Sequence, residues 1–404
     1  MTPDFPTRIS FDEAAGIIDR VAASRRLSSE RIPLQRGLGR VLAEDLVAPI
    51  ALPNFDNSAM DGFAVRGLPM PDGGWQLVGE QFAGADQGLV LAAGQGSRIT
   101  TGAPLPAGAE AIVIKENARL DGDRLSTDHA PSANDHIRRA GEDVQPGTLL
   151  LSAGDVLSPA RLGLAAALGL AELTVARRPT VAVFTTGDEL RPPGQALAPG
   201  EIHDSNRAML QTLLLAEGLE PVAWPILPDD PARITSMLED AAFSFDLVIT
   251  CGGVSAGEKD HLPALLQARG ETHFWKVRMK PGMPLLFGRL GEALLLGLPG
   301  NPVSVLATFL SLGRRLIDGL QGRTEPRTRW RARLTDAVHR REFMRGRLQV
   351  DDSGQLLVVP DNATGSHRLA AAAGNDVLLV LPEGAGEFQA GTVIDCLPCA
   401  AARG

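Results

Sequence analysis

The stretch Leu247-Val248-Ile249-Thr250-Cys251-Gly252-Gly253-Val254-Ser255-Ala256-Gly257-Glu258-Lys259-Asp260 runs from an apolar segment into a glycine pair and then into charge. A short apolar run closed by glycine reads as a buried strand. Glu258, Lys259 and Asp260 stand at the mouth of a helical segment over 258–269, which Gly270 ends. Strand, glycine turn and helix in that order form the unit of a parallel α/β sheet, whose ligands bind at the carboxyl ends of the strands. Glycines let the backbone approach a phosphate, and the following helix offers unpaired N–H groups to it. Acids beside a phosphate site point to a divalent cation. The stretch therefore predicts a nucleotide or phosphorylated ligand handled with magnesium.

The same rhythm extends on both sides. Strand-like runs occupy 180–184, 222–227, 246–251, 272–280 and 294–298, and helical segments begin at Asp204 or Ser205, at Asp230-Pro231 and at Asn301-Pro302. Gly218 ends the first helix, and the last runs to about Leu320. Alternation of this kind predicts a mostly parallel α/β unit. Upstream, Ser10-Phe11-Asp12-Glu13 has the form of a capping box before an amphipathic run to about Ser24. Residues 50–150 are rich in Gly and Pro with short apolar runs such as Ala111-Ile112-Val113-Ile114, which reads as a β-rich insertion. Ser158-Pro159 opens a helix that Gly169 closes. After Pro326 short alternating strands return. The expected fold is multidomain α/β plus β. An elongated N-terminal region spans 1–178, with its β-rich subdomain inserted over about 52–141. The central α/β domain spans 179–326, and a small C-terminal β-barrel-like domain spans 327–404.

A chain of 404 residues, 44% hydrophobic and 22% charged, has the composition of a globular protein of several domains. The net charge of −9 argues against a general nucleic-acid binder. No apolar run reaches the roughly 20 residues that span a bilayer, and Met1 to Ser10 lacks an apolar signal core, so no membrane role and a cytoplasmic location are expected. Three cysteines, Cys251, Cys396 and Cys399, fit reduced thiols; the lone C-x-x-C has no second ligand pair for zinc. The chain has no tyrosine, which removes a phenol from the possible acids and bases.

Ligand-type residues recur at the predicted strand ends: Thr185-Thr186-Gly187-Asp188-Glu189, Asp229-Asp230, the 252–260 loop and Pro299-Gly300-Asn301-Pro302. Singly, Asp230 and Asn301 read as helix caps and Asp188 as a turn residue. Together in one domain they read as a site. Trp275-Lys276-Val277-Arg278-Met279-Lys280-Pro281-Gly282 is the second feature. On a strand, Lys276, Arg278 and Lys280 would share one face. Such a row reads alone as a solvated edge strand, and beside the acidic glycine loop as an anion site. In the insertion, Asp61, Thr101 and Asp143 lie in turn-like settings, where spacing favours turn chemistry. The arginines from Arg323 to Arg347 read as a solvated β surface, and His203, His261 and His367 lack metal-ligand spacing.

These segments together resemble the molybdopterin molybdenumtransferase family, MoeA in bacteria and the gephyrin E domain in animals. The matching stretches are Ser58-Ala59-Met60-Asp61-Gly62, Thr101-Gly102-Ala103-Pro104, Gly141-Glu142-Asp143, Thr186-Gly187-Asp188-Glu189-Leu190 and Asp204-Ser205-Asn206. They continue with Gly252 to Asp260, Met279-Lys280-Pro281-Gly282, Pro299-Gly300-Asn301-Pro302 and Gly365-Ser366-His367, in family order over nearly the whole chain. The resemblance implies a MogA-like central domain. It also implies a homodimer whose active cleft lies between the α/β domain of one subunit and the inserted domain of the other. The implied reaction takes adenylylated molybdopterin and molybdate, hydrolyses the phosphoanhydride with release of AMP, and inserts molybdenum at the dithiolene, with Mg2+ as the metal.

The resemblance implies catalytic roles for Asp61, Thr101, Asp143, Glu189, Lys276 and Lys280. Substrate contacts fall to Thr186, Gly187, Asp204, Ser205, Gly252, Gly253, Ser255, Gly257, Pro299, Asn301, Pro302, Ser304, Arg345 and Ser366, of which Ser304, Arg345 and Ser366 are linked to molybdate. Asp188, Glu189, Asp229 and Asp260 are the magnesium candidates. Partners would be the pathway's molybdopterin adenylyltransferase and apo-molybdoenzymes. Two departures stand out. Met283 follows Lys280-Pro281-Gly282 where many relatives carry a further lysine, and Phe63, His203 and His261 stand where relatives often have tyrosine. The competing readings are a molybdopterin adenylyltransferase, because the α/β domain would look alike, and a non-catalytic cofactor carrier or scaffold.

Overall fold

Hydrophobic strands separated by amphipathic helices can bury both faces of a sheet only if helices cover each side. The computed structural model, which describes residues 5–70, 73–255, 261–338, 343–361, 365–381 and 387–399, has that arrangement at its centre. A seven-stranded sheet runs in the order Thr7–Ile9, Glu271–Val277, Leu286–Leu290, Ala293–Leu298, Leu247–Cys251, Val181–Thr185, Val222–Ala223. All neighbours pair in parallel except at Leu286–Leu290, which is antiparallel to both strands beside it. Helices Phe11–Ser24, Ser205–Ala216 and Pro302–Thr308 pack on one face with Val183, Ile249, Leu296 and Phe287. Helices Pro231–Ser244 and Leu262–Arg269 cover the other face over Phe184, Val248, Leu286 and Leu295. Each such side chain, fully buried, contributes about 1.5–3 kcal/mol relative to exposure.

The first strand and helix of the chain thus belong with the central sheet. Thr7 and Ile9 pair with Trp275 and Val277, and the helix is held at its start by the Ser10 hydroxyl, which accepts from the Glu13 N–H at 3.1 Å. Leu286–Leu290 was not read from the sequence, because Gly288 and Arg289 interrupt its apolar run; it forms a hairpin with Ala293–Leu298, whose longer apolar run was read. The strand expected over 222–227 is only Val222–Ala223, with Leu227 meeting Thr186 in an isolated bridge. The helix expected from Asn301 is continuous to Leu320 but passes through a π-turn at Phe309–Gly313.

Between the first helix and the central unit lie two further bodies. One contains the helix Pro159–Ala167 and the pair Ser29–Pro33 with Glu172–Ala176, around Leu42, Leu157 and Val175. The other is a six-stranded sheet, ordered Ala111–Ile114, Gly62–Val65, Gln95–Ile99, Trp75–Gln81, Arg124–Thr127, Ala118–Asp121. The C-terminal strands Trp330–Leu334, Leu356–Pro360, Phe343–Val350, Val377–Val380 and Val393–Pro398 close into a barrel around Val358, Leu379 and Cys396. A buried ion pair lies near this barrel. The Arg314 Nε–Glu217 Oε1 distance is 2.6 Å, Arg327 Nη1 lies 2.6 Å from Glu217 Oε2, and Arg314 also donates to the Pro398 carbonyl. Among the described residues no helix is long and apolar enough to cross a membrane.

Candidate functional site

The loops after the parallel strands meet at one edge of the sheet. Gly252 and Gly253 have φ of +96° and +71°, a backbone that side chains rarely adopt. A Cβ at Gly252 would stand 2.4 Å from the Thr186 hydroxyl, and one at Gly300 would be 3.8 Å from the Gly252 Cα. The two strand-end turns therefore touch through backbone alone. Thr186 donates its N–H to the Cys251 carbonyl, and the Asp229 N–H reaches Asp188 Oδ1 at 3.3 Å. Gly187, at φ +136°, lies under the Glu189 carboxylate, which a Cβ there would strike at 2.5 Å. Thr186, Gly187, Asp188, Glu189, Asp229, Gly252, Gly253 and Gly300 are thus brought into one neighbourhood.

Beside that neighbourhood is a cavity of about 710 Å³. Glu189 and Ser255 line it, with Lys280, Pro299, Asn301, Ser304, Arg345 and Ser366. Asn301 occupies the cap position of its helix, yet its side chain makes no capping hydrogen bond, and Pro302 is the first helical residue. Ser304 is 4% exposed and Arg345 5%. The Arg345 guanidinium is fixed by Asp361, at 3.2 Å from Nε, and by the Arg368 carbonyl at 3.1 Å. The Val303 N–H donates to the Ser366 carbonyl, tying the barrel-side loop to the central helix.

Asp204 differs from the other substrate-contact candidates. It is 2% exposed, and its carboxylate accepts from the Thr185 hydroxyl at 2.6 Å, from Arg207 Nε at 3.0 Å and from the Arg207 N–H at 3.1 Å. It caps the helix that Ser205 begins and supports the loops from behind. Asp230 is likewise a helix cap, accepting from the N–H groups of Ala232 and Arg233.

The basic row expected on one strand face does not form. The strand ends at Val277, and Lys276 has φ +67°, which breaks the alternation of side chains. Lys276 lies over the Trp275 ring, Arg278 donates to the Arg8 carbonyl, and only Lys280 of the three lines the 710 Å³ cavity. Met283 lines it too, 46% exposed, at the position where the resemblance has lysine.

Asp61, Thr101 and Asp143 lie in the N-terminal part of the chain, and none of them lines the cavity. The Thr101 N–H donates to Asp61 Oδ1 at 2.7 Å and its hydroxyl to the same oxygen at 2.8 Å. The backbone bond first, then the hydroxyl, hold this exposed carboxyl below its ordinary range. Asp143 is exposed, its N–H bonded to the Leu52 carbonyl. Among the described residues no group of three or more metal-capable side chains is present; Gly257 and Asp260 lie outside them. The cysteines are free. Burial pushes the Cys396 and Cys399 thiols up to about 11 and about 12 and raises Cys251 further, so none is poised as a nucleophile.

Three family models match in succession: the MoeA N-terminal region (domain I and II) over residues 9–169, the probable molybdopterin binding domain over 182–318, and the MoeA C-terminal region (domain IV) over 327–399. The chain belongs to the MoeA family. It is 38% identical to the molybdopterin molybdenumtransferase of Haemophilus influenzae, over 92% of this chain and 94% of that one. It is 40% identical to molybdopterin molybdenumtransferase 2 of Mycobacterium tuberculosis, over 89% and 93%. The crystal structure of the Pyrococcus horikoshii molybdopterin biosynthesis moeA protein superposes with a TM-score of 0.82 at 26% identity, covering 96% of this chain and 99% of that one.

In this MoeA-family chain the structure adds residues to which the sequence assigns no role. Asn206 donates its amide to the Gly300 carbonyl at 2.6 Å and so ties the helix after Asp204 to the Pro299–Asn301 turn. Asp361 anchors Arg345. Asn206 stands among the quoted segments, but an amide in a helix's first turn reads by itself as capping chemistry. Asp361 carries no local signal, because its partner is its neighbour on the adjacent strand, where Gly346 pairs with Pro360 and the Asp361 N–H donates to the Arg345 carbonyl.

Proposed function

We propose that this chain is the molybdenum-inserting enzyme of molybdenum cofactor biosynthesis, acting on molybdate and adenylylated molybdopterin. Water hydrolyses the phosphoanhydride, AMP leaves and the phosphate stays on the pterin side chain; as the two Mo–S bonds form, one molybdate oxygen leaves as water with the two dithiol protons. The observation that carries this reading is one cavity lined by Lys280, Asn301, Ser304, Arg345 and Ser366 beside glycine turns, in a chain matched nearly end to end by molybdopterin molybdenumtransferases. The half-buried glycine backbone at Gly252, Gly253 and Gly187, free of side chains, suits an approaching phosphate. Lys280 and the anchored Arg345 supply positive charge for phosphate or molybdate oxygens, and Ser304 and Ser366 supply hydroxyls. Lys276, which lies off the cavity lining, is the further cation proposed to reach the same oxygens.

Asp188, Glu189 and Asp229, with Asp260, are the proposed magnesium holders. The donor chemistry fits, because Mg2+ takes one or two carboxylates and completes its shell with water and substrate phosphate, so a dense protein cluster is not required. When bound, the ion would neutralise charge on the departing phosphate. The active unit is a homodimer in the cytoplasm, in which Asp61, Thr101 and Asp143 of one subunit complete the cleft of the other; their position off the cavity lining supports this. The pathway's adenylyltransferase and apo-molybdoenzymes are the proposed partners.

The test is AMP release from purified adenylylated molybdopterin, with and without molybdate and magnesium, together with reconstitution of an apo-molybdoenzyme. Release that needs both ions and yields active enzyme is expected. ATP-dependent adenylylation of free molybdopterin would replace this reading with an adenylyltransferase. Tight binding without release would replace it with a carrier.

A further inference from the structure

Trp275 and Lys276 are neighbours in sequence, and in a regular strand their side chains would point to opposite faces. Lys276 has φ +67°, and its Nζ lies 4.1 Å from the centroid of the Trp275 ring. At this distance the ring face attracts the ammonium. The other end of the same indole is also committed. Its N–H donates to the Val254 carbonyl at 2.7 Å, in the loop that follows Gly252-Gly253. Val254 is 1% exposed and Ser255, next in the chain, lines the cavity. Backbone bonds on both sides hold the Trp275–Lys276 unit: the Trp275 N–H to the Pro6 carbonyl at 3.0 Å and the Lys276 N–H to the Leu285 carbonyl at 2.8 Å.

We propose that Trp275 is a positioning residue for the transfer reaction, one rigid plate that sets the Lys276 ammonium and the Gly252–Ser255 loop relative to each other. The unfavourable left-handed backbone at Lys276 is what brings the lysine onto the ring. An ammonium on a flexible four-carbon stem is otherwise spread over many rotamers. This proposal rests on the molybdenum-insertion reading for its catalytic half, and on geometry alone for the link itself.

The experiment has two independent arms, both on the full chain. In the first, protein labelled with 5-fluorotryptophan gives resonances for Trp75, Trp224, Trp275 and Trp330, and Trp275→Phe identifies one of them. Lys276→Met is expected to move the Trp275 resonance and leave the other three in place. An unmoved Trp275 resonance would overturn the link. In the second, AMP release is followed through a double-mutant cycle. Trp275→Leu is expected to slow release roughly tenfold, and Trp275→Phe, which keeps a ring face and loses the donor, by roughly threefold. In a Lys276→Met background the effect of Trp275→Leu should fall from about tenfold to the roughly threefold that loss of the Val254 bond alone costs. If Trp275→Leu retains its full factor there, it acts through packing and the positioning role falls. Wild-type protein that releases no AMP would overturn the functional reading and the catalytic half with it, while the fluorine resonance still decides the link.

Discussion

Gly252 shows how a single hydrogen atom can be the functional side chain. Its φ of +96°, and the Thr186 hydroxyl only 2.4 Å from where a methyl group would stand, leave no room for alanine. Gly252→Ala should cost about 1–3 kcal/mol in denaturant unfolding and abolish ligand-dependent stabilisation. A variant with unchanged midpoint and unchanged ligand response would refute the close-approach argument. Met283 makes the opposite case, a side chain where charge is missing. It lines the cavity beside Lys280, so Met283→Lys should lower the molybdate concentration needed for half-maximal insertion by roughly threefold to tenfold. A molybdate titration with no change would show that the position does not face the oxyanion.

At the scale of elements, the start of the central sheet is latched by Asp246. Its carboxylate accepts from both Arg177 terminal nitrogens at 2.8 Å, from the Thr180 N–H at 2.8 Å and from the Thr180 hydroxyl at 2.7 Å. Burial alone would raise this carboxyl, but the Arg177 pair and the Thr180 donors outweigh it and hold it below the ordinary range. Because the folded value is depressed, the latch stabilises fully above the unfolded carboxyl's pKa and is lost as pH falls through the folded one. Asp246→Asn should therefore be less stable than wild type at neutral pH, with the gap narrowing on acidification. A thermal-melt series against pH reads this directly, and a constant gap would refute it. Strand geometry also explains why the basic row does not form. Alternation is a property of regular strand, and Lys276 leaves it before Arg278 and Lys280 are reached.

For the whole molecule, the separation of Asp61, Thr101 and Asp143 from the cavity carries the prediction. If the cleft is shared between subunits, inactive Asp61→Ala and inactive Lys280→Ala proteins, unfolded and refolded together, should recover on the order of a quarter of wild-type AMP release. Statistical mixing places one intact cleft in half of the dimers. Absence of recovery, with sedimentation showing mixed dimers, would place the whole site in one chain.

Much of this protein was legible from its residues. The alternating unit, the glycine turns at strand ends, the Ser10, Ser158 and Asp204 caps, and the β character of the insertion and C-terminus follow from local preferences, which act over a few residues and need no partner. So did the set of ligand-type loops, because strand-end turns of a parallel sheet face one edge. Only the tertiary structure decided the rest. The first strand joins the sheet beside Glu271–Val277, and Leu286–Leu290 enters it antiparallel, because pairing between distant segments is set by which edges and faces remain to be buried. Asp361 finds Arg345, Asn206 finds Gly300, and Trp275 joins Lys276 to Val254 through contacts between elements or through an unusual backbone angle. Sequence patterns record periodicity and turn chemistry; they do not record which side chains a fold brings within hydrogen-bond distance.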